Sequence, residues 1–294
     1  MPNIKVSVVL PCYNVSEYID KCMDSLLNQT LKDIEFIFVD DCSTDDTYNK
    51  IKKYKDPRIK LIHHEVNKYT AEERNSGMDN ATGEYIAFID PDDYVEYDFL
   101  EKLYSLAKKY DADIAKGILR SIPKNTIRSA NKAINQNKFN FHFMHFTAIY
   151  RRSMIEQHKI RFFIDVICAQ FPMIYYANKI VTCEDAIYNY VSRPGSCIHS
   201  KFTIDKWQKL NIKGAVSTLN FINTHGMKKE DYILVASTLI LNLYQYGYIR
   251  LSDKDKQIAK PLLNRYLDDF WNNIKYKDNV KFNTLFFKTR LKYA

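Results

Sequence analysis

Over its first 120 residues the chain alternates short apolar runs with segments of helical spacing, and this rhythm restricts its possible folds more than any other feature. Lys5–Leu10, rich in Val, reads as a strand, and Ser16–Asn28 carries Tyr18, Ile19, Cys22, Leu26 and Leu27 at helical spacing. Ile34–Val39, Lys60–His63, Tyr85–Ile89 and Asp113–Leu119 read as further strands. Asp45–Tyr54, Thr70–Asn80 and Tyr97–Tyr110 read as helices between them. Strands alternating with helices in this way indicate a mostly parallel sheet with helices on both faces.

The rhythm breaks at Ser121–Phe139, a polar stretch rich in Asn and Lys that contains Pro123 and reads as a loop. An aromatic and histidine-rich stretch, Phe139–Phe146, follows, and then a basic helix near Tyr150–His158. Beyond Thr203 three segments have helical spacing: Trp207–His225, Lys229–Tyr246 and Lys254–Ile274. The tail Phe286–Tyr293 mixes aromatics with cations; it reads as a final helix packed on the body, with contact to an anionic membrane surface as the alternative. With 294 residues and 46% hydrophobic content, the chain can build one large domain or two smaller ones.

Composition excludes some classes and leaves others open. No run approaches the roughly 18 apolar residues of a membrane span. The start, Met1–Lys5, has no apolar signal core, so the expected location is the cytoplasm, with peripheral contact to the inner face of the plasma membrane as the alternative. The formal net charge of +8 suits an anionic partner without choosing between nucleotide, nucleic acid and membrane. The six cysteines form no CxxC pair and no zinc-ligand spacing, and read as reduced packing residues.

Chemistry concentrates at the strand ends. Tyr85–Ile89 runs into Asp90-Pro91-Asp92-Asp93, which is either a solvated capping loop or a site for a hard divalent cation bridging to phosphates. The first strand ends in Leu10-Pro11-Cys12-Tyr13-Asn14 and the second in Val39-Asp40-Asp41-Cys42-Ser43-Thr44-Asp45. Three polar strand ends in register along a βαβ pattern point to a ligand edge; a carboxylate on the second strand suits a ribose or a base N–H, while Ser43-Thr44-Asp45 suits a helix cap. There is no GxGxxG and no GxxxxGK[ST], so basic side chains and a metal must meet any phosphates; Arg74, in Glu72-Glu73-Arg74-Asn75-Ser76-Gly77, is the candidate.

Val8–Asn14, Ser25–Thr30, Phe38–Asp45, Arg74–Gly77 and Gly83–Asp93, in this order and spacing, resemble family 2 glycosyltransferases of the GT-A fold. Among these, the bacterial enzymes that build lipooligosaccharide, capsule and other surface glycans look most similar. The resemblance covers about residues 4–120 with high specificity and about 140–200 more loosely. It implies a GT-A domain over residues 1–200, with a nucleotide-sugar half at 1–120 and an acceptor half at 121–200, followed by a helical region at 201–294. It also implies an inverting transfer of a hexose or N-acetylhexosamine from a UDP-sugar to a glycan or lipid-linked glycan, with Mn²⁺ or Mg²⁺ and no nucleic acid. On this resemblance Pro11, Tyr13 and Asp41 line the nucleoside pocket, with Tyr13 near the base and Asp41 at the uracil edge. Asp92 is the direct metal ligand, Asp90 lies near the ribose and the metal's waters, Asp93 supports the site from behind, and Arg74 is near the phosphates.

The chain departs from the family on the acceptor side. An acidic pair that would supply the general base is absent from Arg161–Met173, where Gln170-Phe171 stands instead. Asp165 is the nearest remaining carboxylate and the candidate base; Glu184-Asp185 falls on a later element. His142 and His145 are candidates for binding sugar, phosphate or metal, against packing in an aromatic core. The missing pair leaves a second reading open, a UDP-sugar-binding homologue without turnover. A sugar-nucleotidyltransferase is a third, disfavoured by the lack of a Gly-rich loop after strand one.

Overall fold

The computed structural model describes residues 4–128, 138–139, 145–162, 166–193, 203–241 and 247–277. They fall into two compact units, Met1–Lys138 with His142–Pro194, and Phe139–Phe141 with Gly195–Ala294.

The first unit is built on a mixed nine-stranded sheet. Its strands are β1 (Val6–Cys12), β2 (Ile34–Asp40), β3 (Ile59–His63), β4 (Tyr85–Phe88), β5 (Tyr94–Val95), β6 (Ile114–Ile122), β7 (Thr126–Arg128), β8 (Ala148–Arg151) and β9 (Ile180–Val191). They lie in the order β3-β2-β1-β4-β8-β6-β9-β5, with β7 on β6. β3, β2, β1 and β4 are parallel, whereas β8 runs antiparallel to both β4 and β6. The order turns back between β1 and β4, which makes the carboxyl ends of these two strands the place where an α/β sheet opens to a ligand.

Burial follows from the residues. β1 and β2 are buried along their whole length because helices cover both faces. Alternate residues Val8, Leu10, Cys12, Phe36 and Phe38 join one core with α1 (Ile19–Leu27) and α4 (Phe99–Tyr110), through Ile19, Cys22, Leu26, Phe99 and Leu103. The intervening Val9 faces α3 (Tyr69–Asp79) on the opposite side, where Gly77 lies so close that a Cβ would sit 2.2 Å from Val9 Cγ1. α2 (Thr47–Lys53), α5 (Arg152–Gln157) and α6 (Val166–Tyr176) complete the unit.

The three segments of helical spacing beyond Thr203 contain α7 (Lys213–Thr224), α8 (Lys229–Leu241) and α9 (Asp253–Asn273). Trp207 is fully buried in this second unit, against Tyr248 and Tyr266. Two readings change. Ser121–Phe139 is not all loop, since Ser121 and Ile122 end β6 and Thr126–Arg128 pair back onto it. The basic helix near Tyr150–His158 is seen as α5, Arg152–Gln157, but its first two residues, Tyr150 and Arg151, belong to the short strand β8 that runs directly into it. The tail Phe286–Tyr293 and residues His142 and Asp165 lie outside the described residues.

Candidate functional site

The loops after β1 and β2 are knitted together. Asn14 Oδ1 accepts hydrogen bonds from the Thr44 amide at 2.8 Å and the Asp45 amide at 3.3 Å, and the Asn14 amide donates to Ser43 Oγ. Asp45, one residue ahead of the N-cap Asp46 of α2, accepts the amides of Ser16 and Thr47 at 3.0 Å. Burial opposes its ionised form, but these donors outweigh it and bring Asp45 down to about 2. The knit presents Pro11 at the end of β1 and Tyr13, 46% exposed, at the mouth of the edge.

Asp41, one residue past β2, is buried and fully employed. His64 Nδ1 lies 2.6 Å from Oδ1, the Lys68 amide donates at 2.9 Å to both oxygens, and the Tyr69 amide donates at 2.8 Å to Oδ2. His64 Nε2 in turn lies 3.0 Å from Ser76 Oγ. A carboxylate from the β2 loop therefore caps α3 from a distance and orders the segment between β3 and α3.

The acidic cluster after β4 is divided by function. Asp93 turns inward: Tyr188 Oη donates to its Oδ2 at 2.7 Å, and the Val191 amide donates to Oδ1 at 2.7 Å. Tyr188 Oη also accepts the Asp90 amide at 3.2 Å, so β9 holds the whole turn from behind. Asp90 and Asp92 stay part-exposed and each meets an arginine. Arg74 Nη2 donates to Asp90 Oδ1 at 2.9 Å, and Arg193 Nε donates to Asp92 Oδ2 at 2.7 Å. Arg74 is itself buried, stacked 5.5 Å from the Phe162 ring centroid, and Arg193 lies 4.5 Å over the Tyr18 ring.

Negative charge is in excess here. Burial first, then Asp90 and Asp92, push the Asp93 carboxyl up to about 8. Burial, then Asp41, push Glu73 on α3 up to about 8. Asp90 is also raised, by burial and the nearby Asp92, although Arg74 opposes this. Glu73 Oε1 and Arg74 Nε are buried with no hydrogen-bond partner among the described residues. No cluster of three His, Cys, Asp or Glu that could hold a metal alone occurs among the described residues. Asp90 and Asp92 nevertheless fit a hard divalent cation of the kind held by one or two carboxylates, which draws its other ligands from water and an anionic substrate.

Glu73, His64, Tyr188 and Arg193 complete this candidate cluster, and sequence reasoning passed over them. His145 is not a ligand in this arrangement: it is buried against Phe88, Phe146 and Phe162, and burial followed by Arg74 hold its pKa well below the usual value. The Asn75 side chain clamps the Phe162 backbone by two hydrogen bonds of 2.9 Å, which fixes the chain at Phe162. Glu184 and Asp185 are exposed on an irregularity of β9 opposite Gly117, where a Cβ would lie 2.4 Å from the Ala186 carbonyl oxygen. No helix among the described residues is long and apolar enough to cross a membrane.

Residues 7–171 match the profile of Glycosyl transferase family 2. Glycosyltransferase GlyA of Streptococcus pneumoniae is 43% identical over 115 residues, 38% of this chain and 16% of GlyA. The poly(ribitol-phosphate) beta-N-acetylglucosaminyltransferase TarP of Staphylococcus aureus is 27% identical over 305 residues, 97% of this chain and 88% of TarP. The crystal structure of S. aureus TarS 1-349 in complex with UDP-GlcNAc superposes with a TM-score of 0.78 at 20% identity, covering 98% of this chain and 88% of that one. The fold is thus the GT-A fold read from the sequence. The aligned region is only a small part of GlyA, 16% of its length.

Proposed function

The chain belongs to glycosyl transferase family 2, and from that we propose that it transfers a hexose or N-acetylhexosamine from a UDP-sugar to a hydroxyl of a bacterial surface glycan. The observation that carries the reading is the pairing of Arg74 with Asp90 and of Arg193 with Asp92 at the carboxyl end of β4, beside the Tyr13 rim. Two cations and two carboxylates at one sheet edge suit a diphosphate together with a divalent cation. TarS, solved with UDP-GlcNAc on the same fold, and the sequence similarity to TarP support a UDP-sugar donor and a surface-polymer acceptor.

In this reading Pro11 and Tyr13 line the nucleoside pocket, and Asp41 orders its wall through Lys68 and Tyr69. Asp90 lies toward the ribose, Arg74 meets the phosphates, and Asp92 is the metal ligand. A Mn²⁺ or Mg²⁺ bound there would supply Lewis-acid neutralisation of the leaving diphosphate. The acceptor oxygen forms the new bond to the anomeric carbon as the bond to the β-phosphate oxygen breaks, with inversion. Asp165 takes the hydroxyl proton, and Asn75 holds the chain leading to it.

The test has two arms. Calorimetry with UDP and Mn²⁺ should show binding by the wild type and its loss in Asp92→Ala; unchanged affinity in that variant would remove the metal assignment. A screen of UDP-sugars against truncated surface glycans, read by product mass and UDP release, tests transfer. Gln170-Phe171 in place of an acidic pair favours one second reading, a protein that binds UDP-sugar without turnover. UDP binding with no acceptor-dependent UDP release would select it.

A further inference from the structure

At the first residue of α3 the backbone takes a conformation that the side chain does not suit. Tyr69 has φ +69°, a region that glycine enters freely and a large aromatic residue enters only under constraint. The constraint is visible. The Tyr69 amide donates to Asp41 Oδ2 at 2.8 Å and to Asn67 Oδ1 at 3.1 Å, and the buried Asp41 would lose one of its donors if the conformation relaxed. Packing does not repay the strain, because Tyr69 is 79% exposed. Strain that surrounding structure enforces is characteristic of ligand sites.

The location indicates which ligand. Asp41 follows β2, which lies between β1 and β3. On the β1 side the Asp41 amide bonds the Cys12 carbonyl, next to Tyr13; on the β3 side its carboxylate bonds Tyr69. Two exposed tyrosines therefore leave the backbone on either side of one buried aspartate at the carboxyl edge of the sheet. Val66, 63% exposed, adds apolar surface on the Tyr69 side. We propose that Tyr69 is the second aromatic wall of the donor pocket and covers the nucleobase on the side away from Tyr13. This rests on the UDP-sugar reading above. Stacking suits the position because a flat ring gains affinity from an aromatic face without a hydrogen bond from it.

The full chain, with Tyr69→Gly and Tyr69→Phe variants, is titrated calorimetrically with UDP and with inorganic pyrophosphate, each with Mn²⁺. Glycine relieves the backbone, so Tyr69→Gly should melt higher than the wild type yet bind UDP about tenfold more weakly. Tyr69→Phe should bind UDP like the wild type, and pyrophosphate, which has no base, should bind all three alike. Unchanged UDP affinity in Tyr69→Gly overturns the role of Tyr69 and leaves the donor reading intact. An equal loss for pyrophosphate also overturns it, because the base would not be what Tyr69 touches. A wild type that binds neither probe overturns the donor reading and this inference with it.

Discussion

Arg193 Nε sits 2.7 Å from Asp92 Oδ2, so the carboxylate assigned to the metal is held by a cation from the chain itself. A divalent cation arriving alone has to displace that guanidinium from a part-buried pair. Arg193→Gln should therefore bind Mn²⁺ severalfold more tightly than the wild type when no nucleotide is present. Calorimetric titration with Mn²⁺ alone checks this, and weaker binding in the variant would contradict it.

Asn75 and Phe162 should be coupled in both stability and turnover. Asn75→Ala leaves the Phe162 N–H and C=O buried without their partners, at a cost of about 1–3 kcal/mol. Denaturant melts should show that loss. With Asp165 as the proposed base, transfer should fall further than UDP affinity. Equal losses in binding and turnover would argue against this separation.

The pH dependence of stability should carry the signature of Glu73. Its ordinary value of 4.5 is raised to about 8 in the folded chain, chiefly by burial and then by Asp41. Between those values the folded state holds a proton that the unfolded state has released. The stability contribution is therefore complete below about 4.5 and is lost as pH rises through about 8. Glu73→Gln should be flatter than the wild type across this window, and the two should diverge most at the alkaline end. Parallel pH profiles of melting temperature would refute the shift.

Gly77→Ala should behave unlike an ordinary helix substitution. Alanine in a helix usually gains about 1 kcal/mol over glycine. Here the new Cβ would stand 2.2 Å from Val9 Cγ1 and 3.1 Å from Val9 Cβ, so α3 must move off β1. The variant should lose about 1–3 kcal/mol. It should also bind UDP more weakly, since α3 carries Arg74. A more stable variant with normal affinity would show that the contact yields easily.

The parallel strands β1, β2 and β4 were legible because they are apolar runs buried on both faces, and their polar ends stand out against them. The rest depended on tertiary contacts. Glu73 reads as an exposed charge in a polar helix; only Gly77, four residues on, hinted at the face that α3 turns to the sheet. The pairing of Asp40 with His63 and of Asp41 with His64 follows from the register of β2 on β3, which sequence does not display. β9 escaped notice because Glu184-Asp185 interrupts its alternation at a bulge. β8 escaped because four strand residues pass into α5 with no turn residue between them.

The reversal of strand direction at β8 has a consequence for how such chains diversify. β3, β2, β1 and β4 are complete by Phe88, and all that β8 asks of them is one free edge on β4. Beyond α4, which shares the core of β1 and β2, the stretch leading to β9 can then lengthen, shorten or be exchanged while those four strands stay in place. A lineage can rewrite one half of its sheet without unpicking the other, and Asp93, tied to Tyr188 and Val191, is the joint that any such replacement has to rebuild.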